Sequence, residues 1–313
     1  LMMNNAIIGI KVREAVKHGA KLVIFNDKET ILDEISELSV IEETTDTLLQ
    51  VQAYIAEKVG AEVQMPKVEI SDIAKEIGEM YLSAKTPMFV YNQNEASLQA
   101  ARIASNIAAM TKNIGKARAG VIQLKQNANS QGLVDLGINT DKAEFIEKLN
   151  SGQIRALASF GEDVDLDLSK LDFVVVQDAQ MSDMAQRANV VLPGASFAET
   201  QGTFTSSERR IQKTAKTFKN SSVMENWAVA MEIARVLEPN FGFNSVREIQ
   251  ETISRTVKGY RGIATMDTHK VWEYESNGFA LVPTEQAKLV DIHVNTSNAI
   301  NHFAQYLAKN NVI

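Results

Sequence analysis

The sequence predicts an α/β protein of two doubly wound, mostly parallel-sheet domains with a short C-terminal extension. Short apolar runs alternate with longer stretches whose apolar residues recur at helical spacing. Four of these runs end abruptly in small or polar residues: Phe25-Asn26-Asp27, Tyr91-Asn92-Gln93-Asn94, Phe160-Gly161-Glu162-Asp163 and Val176-Gln177-Asp178-Ala179. The alternation occurs twice, over residues 1–140 and 141–262, and 263–313 follow as a less regular extension.

In the first domain, Ile8, Val12, Ala15 and Val16 make one face of a helix over 6–18, and Gly19 is placed to end it. Lys21 to Phe25 then reads as a strand. A helix starts near Asp46 with Leu48, Val51 and Ile55 on one face, and another runs from Ser71 to Ser83 on Ile73, Ile77 and Met80. Pro87 precedes a strand over Met88–Tyr91. Asn94 is expected to cap a long helix carrying Ile103, Ile107, Met110 and Ile114 and ending at Gly115. Gly120 to Leu124 is a strand, and KQNANSQG a polar segment.

The second domain opens with a helix over 141–150, then a strand from Ile154 to Phe160. Leu168 to Leu171 leads into a buried strand, Val174–Val176. A short helix with Met181, Met184 and Ala185 comes next, then Val190-Val191-Leu192, stopped by Pro193-Gly194. A polar loop follows with Gly202 and Glu208-Arg209-Arg210, the last group suited to a structural ion pair or to a phosphate or partner contact. Trp227, Met231, Ala234 and Leu237 mark another helix. Ser245 and Glu248 have capping-box spacing ahead of Val246, Ile249 and Ile253. In the extension, Ile300, Phe303, Ala304 and Leu307 suggest a final helix over 296–309.

Composition narrows the chemistry. The 313 residues contain no cysteine, which removes disulfides, iron–sulfur ligation and a thiolate nucleophile or metal ligand from this chain. His18, His269, His293 and His302 lack metal-ligand spacing and read as structural or surface residues. A net charge of −7 with scattered Lys and Arg argues against a nucleic-acid surface. No apolar run is long enough for a membrane span. The start at Leu1, with no charged leader, reads as the boundary of a processed or excised piece. In one parallel sheet the four polar strand ends would converge on a crevice suited to a nucleotide or pterin. Exposed loops are polar in any such fold, so the pattern by itself leaves both readings open.

The literal strings say more. VVQD (175–178), NVVLPGASFAE (189–199) and GTFTSSERRIQ (202–212) resemble, in this order, the molybdopterin oxidoreductase family. That family includes formate dehydrogenase α chains and the large iron–sulfur subunit of NADH-quinone oxidoreductase. IIGIKVREAVKHGAKLVIFNDKET (7–30), TKNIGKARAGVIQLKQNANSQGLVDLG (111–137) and RALASFGEDV (155–164) resemble further family segments, so the likeness runs from about residue 6 to residue 262.

The resemblance implies a fold like domains 1–3 of formate dehydrogenase and DMSO reductase. It also implies molybdopterin guanine dinucleotide as cofactor, and iron–sulfur and barrel domains elsewhere. Carried over, the cofactor-facing residues are Asn26, Lys28, Asp46, Lys125, Gly161, Glu162, Gln177, Asp178, Ser182 and Gly202. Several depart from the family's pattern. Its Asp-Pro-Arg is Asn26-Asp27-Lys28, its Arg-Pro-Gly-Thr-Asp is Glu42-Glu43-Thr44-Thr45-Asp46, and its Gly-x-Gly is Asn92-Gln93-Asn94. Where formate dehydrogenases carry an active-site arginine, Lys125 lacks the planar fork that grips a carboxylate.

Retained scaffold with altered contacts resembles the NADH-quinone oxidoreductase (NADH dehydrogenase) branch of the family most. The expectation is therefore a non-catalytic domain pair in an electron-transfer complex, with no catalytic residue, metal ligand or iron–sulfur cluster of its own and with the pterin absent. Its partners would be other subunits or iron–sulfur domains, and not nucleic acid or the bilayer itself. Its location would be cytoplasmic, peripheral on the inner face of the membrane through the complex. The alternatives are part of a molybdenum or tungsten formate-dehydrogenase-type enzyme that binds the dinucleotide, and a non-redox nucleotide- or partner-binding module.

Overall fold

The computed structural model describes residues 5–271 except 94, 126, 139–141, 221 and 268. The described residues up to Asn127 form one compact unit and those from Ala128 onward a second. The expected helix over 296–309 lies outside the described residues.

The first unit opens with α1 (Ala6–Lys17). Gly19 ends it as the spacing predicts: its φ is +90° and its N–H donates to Val16 O at 2.9 Å. β1 (Val23–Asn26) pairs in parallel with β2 (Leu38–Ile41), a strand not expected from the sequence. α2 (Thr44–Val59) and α3 (Asp72–Ser83) follow, then β3 (Met88–Asn92), α4 (Leu98–Met110) and β4 (Gly120–Leu124), which pairs in parallel with β3.

The core of this unit lies where α2, α3 and α4 meet, around Val51, Ile55, Ile77, Ile103 and Ile107. Fully burying each such side chain contributes about 1.5–3 kcal/mol. Gly78 lets α3 approach α2, because a Cβ there would lie 2.5 Å from the Tyr54 ring. Ser71, where the helix is expected to start, caps α3, its Oγ accepting from Ala74 N. α4 differs from expectation at both ends. Its cap is Ser97, whose Oγ accepts from Ala100 N at 3.1 Å, and its last residue is Met110. Asn94 lies outside the described residues.

In the second unit, α5 (Ser130–Asp135) begins within the segment read as merely polar and runs past its end, and α6 (Lys142–Asn150) follows. β5 (Ala156–Phe160), β6 (Phe173–Asp178) and β7 (Val190–Pro193) make a parallel sheet in the order β5-β6-β7. Between β6 and β7, α7 (Asp183–Gln186) is capped by Ser182. Met181 precedes it and stands exposed. Leu149, Leu166, Val174, Val176, Met184 and Ala185 form the core on one side of this sheet.

The expected polar loop after Pro193 is in part a hairpin. β8 (Gly202–Thr205) and β9 (Arg210–Thr214) pair antiparallel, and β10 (His269–Val271) adds to β9 after α8 (Asn226–Leu237) and α9 (Val246–Thr256). Ile211, Val257, Tyr260 and Ile263 make a separate small core beneath the hairpin. The turn contains no glycine, so its signature is hidden in the sequence. Arg209 takes the left-handed position with φ of +59°.

Candidate functional site

Open α/β sheets bind ligands outside the carboxyl ends of their strands. Each unit has such an edge, although the four polar strand ends do not share one. Among the described residues β1 and β3 lie in separate two-stranded sheets, since β2 is the hydrogen-bonded neighbour of β1 and β4 that of β3. β5 and β6 are adjacent, so Gly161-Glu162 and Gln177-Asp178 do meet.

At the edge of the second unit, Gly161 turns the chain with φ of +69°, and its N–H donates to Gln177 O at 2.8 Å. Glu162 is exposed, and its carbonyl accepts from Ser159 Oγ at 2.8 Å. Asp178 is half-buried at the end of β6, where Oδ1 accepts from Gln180 N at 3.1 Å, turning the chain away from the sheet. Ser182, four residues on, accepts from Ala185 N at 3.2 Å and keeps its own hydroxyl proton for another partner. Gly202 opens β8, and a Cβ there would meet nothing within 4 Å.

Gln177 is placed differently from these surface groups. It is 1% exposed, and its Nε2 donates to Met224 O at 2.7 Å, tying the end of β6 to the segment entering α8. Its Oε1 is buried with no hydrogen-bond partner. Gly194 supports the same junction. Its N–H donates to Asp178 O at 2.8 Å, and a Cβ would lie 2.8 Å from the Asp178 carbonyl carbon. Only glycine fits so close to the backbone that carries the carboxylate.

The first unit presents Asn26 half-buried at the end of β1, its Nδ2 donating to Lys28 O at 2.7 Å. Lys28 and Asp46 are exposed, Asp46 in the first turn of α2. Asn26 pairs in register with Ile41, so the Glu42-Glu43 turn follows directly beside it. Both glutamates take left-handed backbone, with φ of +69° and +44°. At the end of β4, Lys125 Nζ donates to Gln123 Oε1 at 2.9 Å and Gln93 Oε1 at 3.3 Å, so its charge is held by amide oxygens from both strands' ends.

The conspicuous motif GTFTSSERR has a structural use. Thr205 N donates to Asn129 Oδ1 at 2.9 Å, and Thr205 Oγ1 lies 2.8 Å from the Tyr260 hydroxyl. Tyr260 donates to Asp135 Oδ2 at 3.1 Å, while Asp135 Oδ1 accepts from Gln131 Nε2 at 2.7 Å and pairs with Arg209 at 3.8 Å. The ion pair expected of Glu208-Arg209-Arg210 is made by Arg209. Burial, reinforced by the Asp135 charge, raises the Tyr260 phenol well above its ordinary pKa. Asn129, Gly132, Asp135 and Tyr260 were not singled out from the sequence.

The donor sets allow a test of fit to a guanine dinucleotide. In the second unit, a carboxylate and a hydroxyl at the end of β6, beside the Gly161 turn, match the N–H face of a guanine and a nucleoside hydroxyl. That unit fits. In the first unit Lys28 and Lys125 offer cations, but Glu42 and Glu43 oppose an anion at the start of α2. Among the described residues, no group of three or more His, Asp or Glu could hold a metal, and no helix is long and apolar enough to cross a membrane.

The fold is that of an α/β protein built on open, mostly parallel sheets. The molybdopterin oxidoreductase family model matches residues 2–236, and the chain belongs to that family. Membership implies a molybdopterin cofactor. Similar curated proteins include the F420-dependent formate dehydrogenase subunit alpha of Methanocaldococcus jannaschii, 27% identical over 82% of this chain and 49% of that protein. Formate dehydrogenase H of Escherichia coli is 25% identical over 79% of this chain and 42% of that protein. The F420-dependent formate dehydrogenase 1 subunit alpha of Methanococcus maripaludis is 27% identical over 61% and 35%. The chain thus spans between a third and a half of these relatives. Acetylene hydratase from Pelobacter acetylenicus has the same fold, with a TM-score of 0.58 at 12% identity over 90% of this chain and 53% of that one.

Proposed function

We propose that this chain contributes the dinucleotide-binding domains of a formate-dehydrogenase-type molybdenum or tungsten oxidoreductase. The observation that carries this is the edge of the second unit, where Gly194 brings backbone against Asp178 and leaves its carboxylate beside the Gly161 turn. Asp178 would accept the guanine N–H pair, Ser182 would donate to or accept from the nucleoside, and Gly161 and Gly202 would leave room for it. Asn26 and Lys28, with Lys125, would meet the cofactor at the edges of the first unit. The bound group supplies the metal-centred redox chemistry. The residues of this chain bind and orient it.

Formate dehydrogenases recur among the similar proteins, and this favours the enzyme over the expected NADH-quinone oxidoreductase scaffold. One observation supports the scaffold reading as the runner-up: the Glu42-Glu43 turn beside Asn26 repels phosphate in the first unit. Elemental and pterin analysis of the protein purified from its own cells separates the two. About one molybdenum or tungsten with two pterin dinucleotides per chain supports the enzyme. Protein free of both metal and pterin overturns it and leaves the scaffold.

A further inference from the structure

We propose that the loops around Phe197 and Phe218 form a docking surface for a protein partner that offers an apolar pocket rimmed by carboxylates. Phe197 is 95% exposed and Phe218 64%. They stand on adjoining loops, because Thr217 N and Phe218 N both donate to Ala198 O, at 2.8 and 3.1 Å. Two aromatic rings displayed together are the kind of anchor that dominates interface energetics.

The loops are braced from beneath. Glu199 Oε2 accepts from both Ser196 N and Ser196 Oγ, at 2.9 and 2.7 Å, and these bonds hold its pKa low. Glu225, nearly buried, pairs with Lys216 at 2.5 Å and accepts from Gln201 N at 2.9 Å. A braced loop loses little entropy when it binds, so exposed rings on it are preorganised for contact.

Charge selects the partner. Lys213, Lys216 and Lys219 fall within seven residues around Phe218, and Lys213 and Lys219 are exposed. The two carboxylates of these loops, Glu199 and Glu225, are both engaged internally. Glu199 keeps its charge and Lys216 is neutralised by Glu225, so Lys213 and Lys219 leave the patch a slight positive excess on a chain whose net charge is −7, which favours an acidic rim opposite. A second copy presenting the same patch would set lysines against lysines.

The test is site-specific photocrosslinking in the cells that make the protein, with Phe197→p-benzoylphenylalanine as probe and Gln153→p-benzoylphenylalanine as an exposed control. Folding of each variant is checked by circular dichroism. The proposal expects an adduct at position 197, mapped by mass spectrometry to a polypeptide segment with apolar residues flanked by Asp or Glu. Lys213→Glu combined with Lys219→Glu should reduce that adduct about fivefold or more. Adducts confined to lipid, adducts to position 197 of a second copy, or a yield no higher than at position 153 would each overturn it. So would an adduct indifferent to the two charge reversals.

Discussion

Asn129 and Thr205, 76 residues apart in sequence, are joined by one hydrogen bond that docks α5 against the hairpin: Asn129 Oδ1 accepts the Thr205 amide at 2.9 Å. Thr205 is buried, so losing this acceptor would leave a main-chain donor unsatisfied. Gly132 makes room for the same side chain, because a Cβ there would overlap Asn129 Oδ1.

Two substitutions should therefore converge on the same loss. Asn129→Ala and Gly132→Val are each expected to destabilise the protein by about 1–3 kcal/mol. The double variant should fall well short of the sum, because both remove the same contact. Urea unfolding of the three variants measures this, and simple additivity would show that Gly132 acts elsewhere.

Tyr260 should impose an alkaline limit on stability. Its phenol is raised by burial and by Asp135, so the folded state keeps a proton that the unfolded chain releases near pH 10. The contribution is complete below that value and declines as pH rises above it. Urea midpoints from pH 8 to 11 should drop steeply in the parent protein and more gently in Tyr260→Phe. Tyr260→Phe itself should cost about 1–3 kcal/mol at pH 8 through its lost bonds to Thr205 and Asp135.

The Glu42-Glu43 turn holds two side-chain-bearing residues in left-handed backbone, with φ of +69° and +44°. Left-handed geometry costs about 1–2 kcal/mol for such a residue and almost nothing for glycine. Glu43→Gly should stabilise the protein by about 1 kcal/mol or less, the gain being offset in part by the freer unfolded chain. Thermal unfolding reports it, and a lowered melting temperature would mean the glutamate is held by something more than its backbone.

Legibility in the sequence followed the range of the forces involved. α2, α3, β3, β4 and β6 were visible because their apolar spacing is local, and Gly19 ends α1 where its chemistry predicts. The Ser245 capping box was legible, and half of it forms. Glu248 N donates to Ser245 Oγ, but the Glu248 carboxylate accepts from Asn244 N instead of Ser245 N. β2 was not seen, because four residues with Ser39 at their centre, between Glu37 and Glu42, show no distinct alternation. The β8–β9 hairpin was hidden because the residue in its left-handed position is Arg209, paired with a carboxylate 74 positions earlier in the chain. At the site, the strand-end residues Gly161 and Asp178 were legible from the abrupt change in polarity. The inward turn of Gln177 was not, since its partner is a backbone carbonyl 47 residues away.

The central claim is that the carboxylate at the end of β6 receives a guanine nucleotide, and calorimetric titration of the purified protein with GDP tests it most directly. Saturable binding in the micromolar range is expected, abolished by Asp178→Ala, while ADP, lacking the paired N–H face, binds far more weakly. Absence of heat with GDP, or binding that survives Asp178→Ala unchanged, would contradict it.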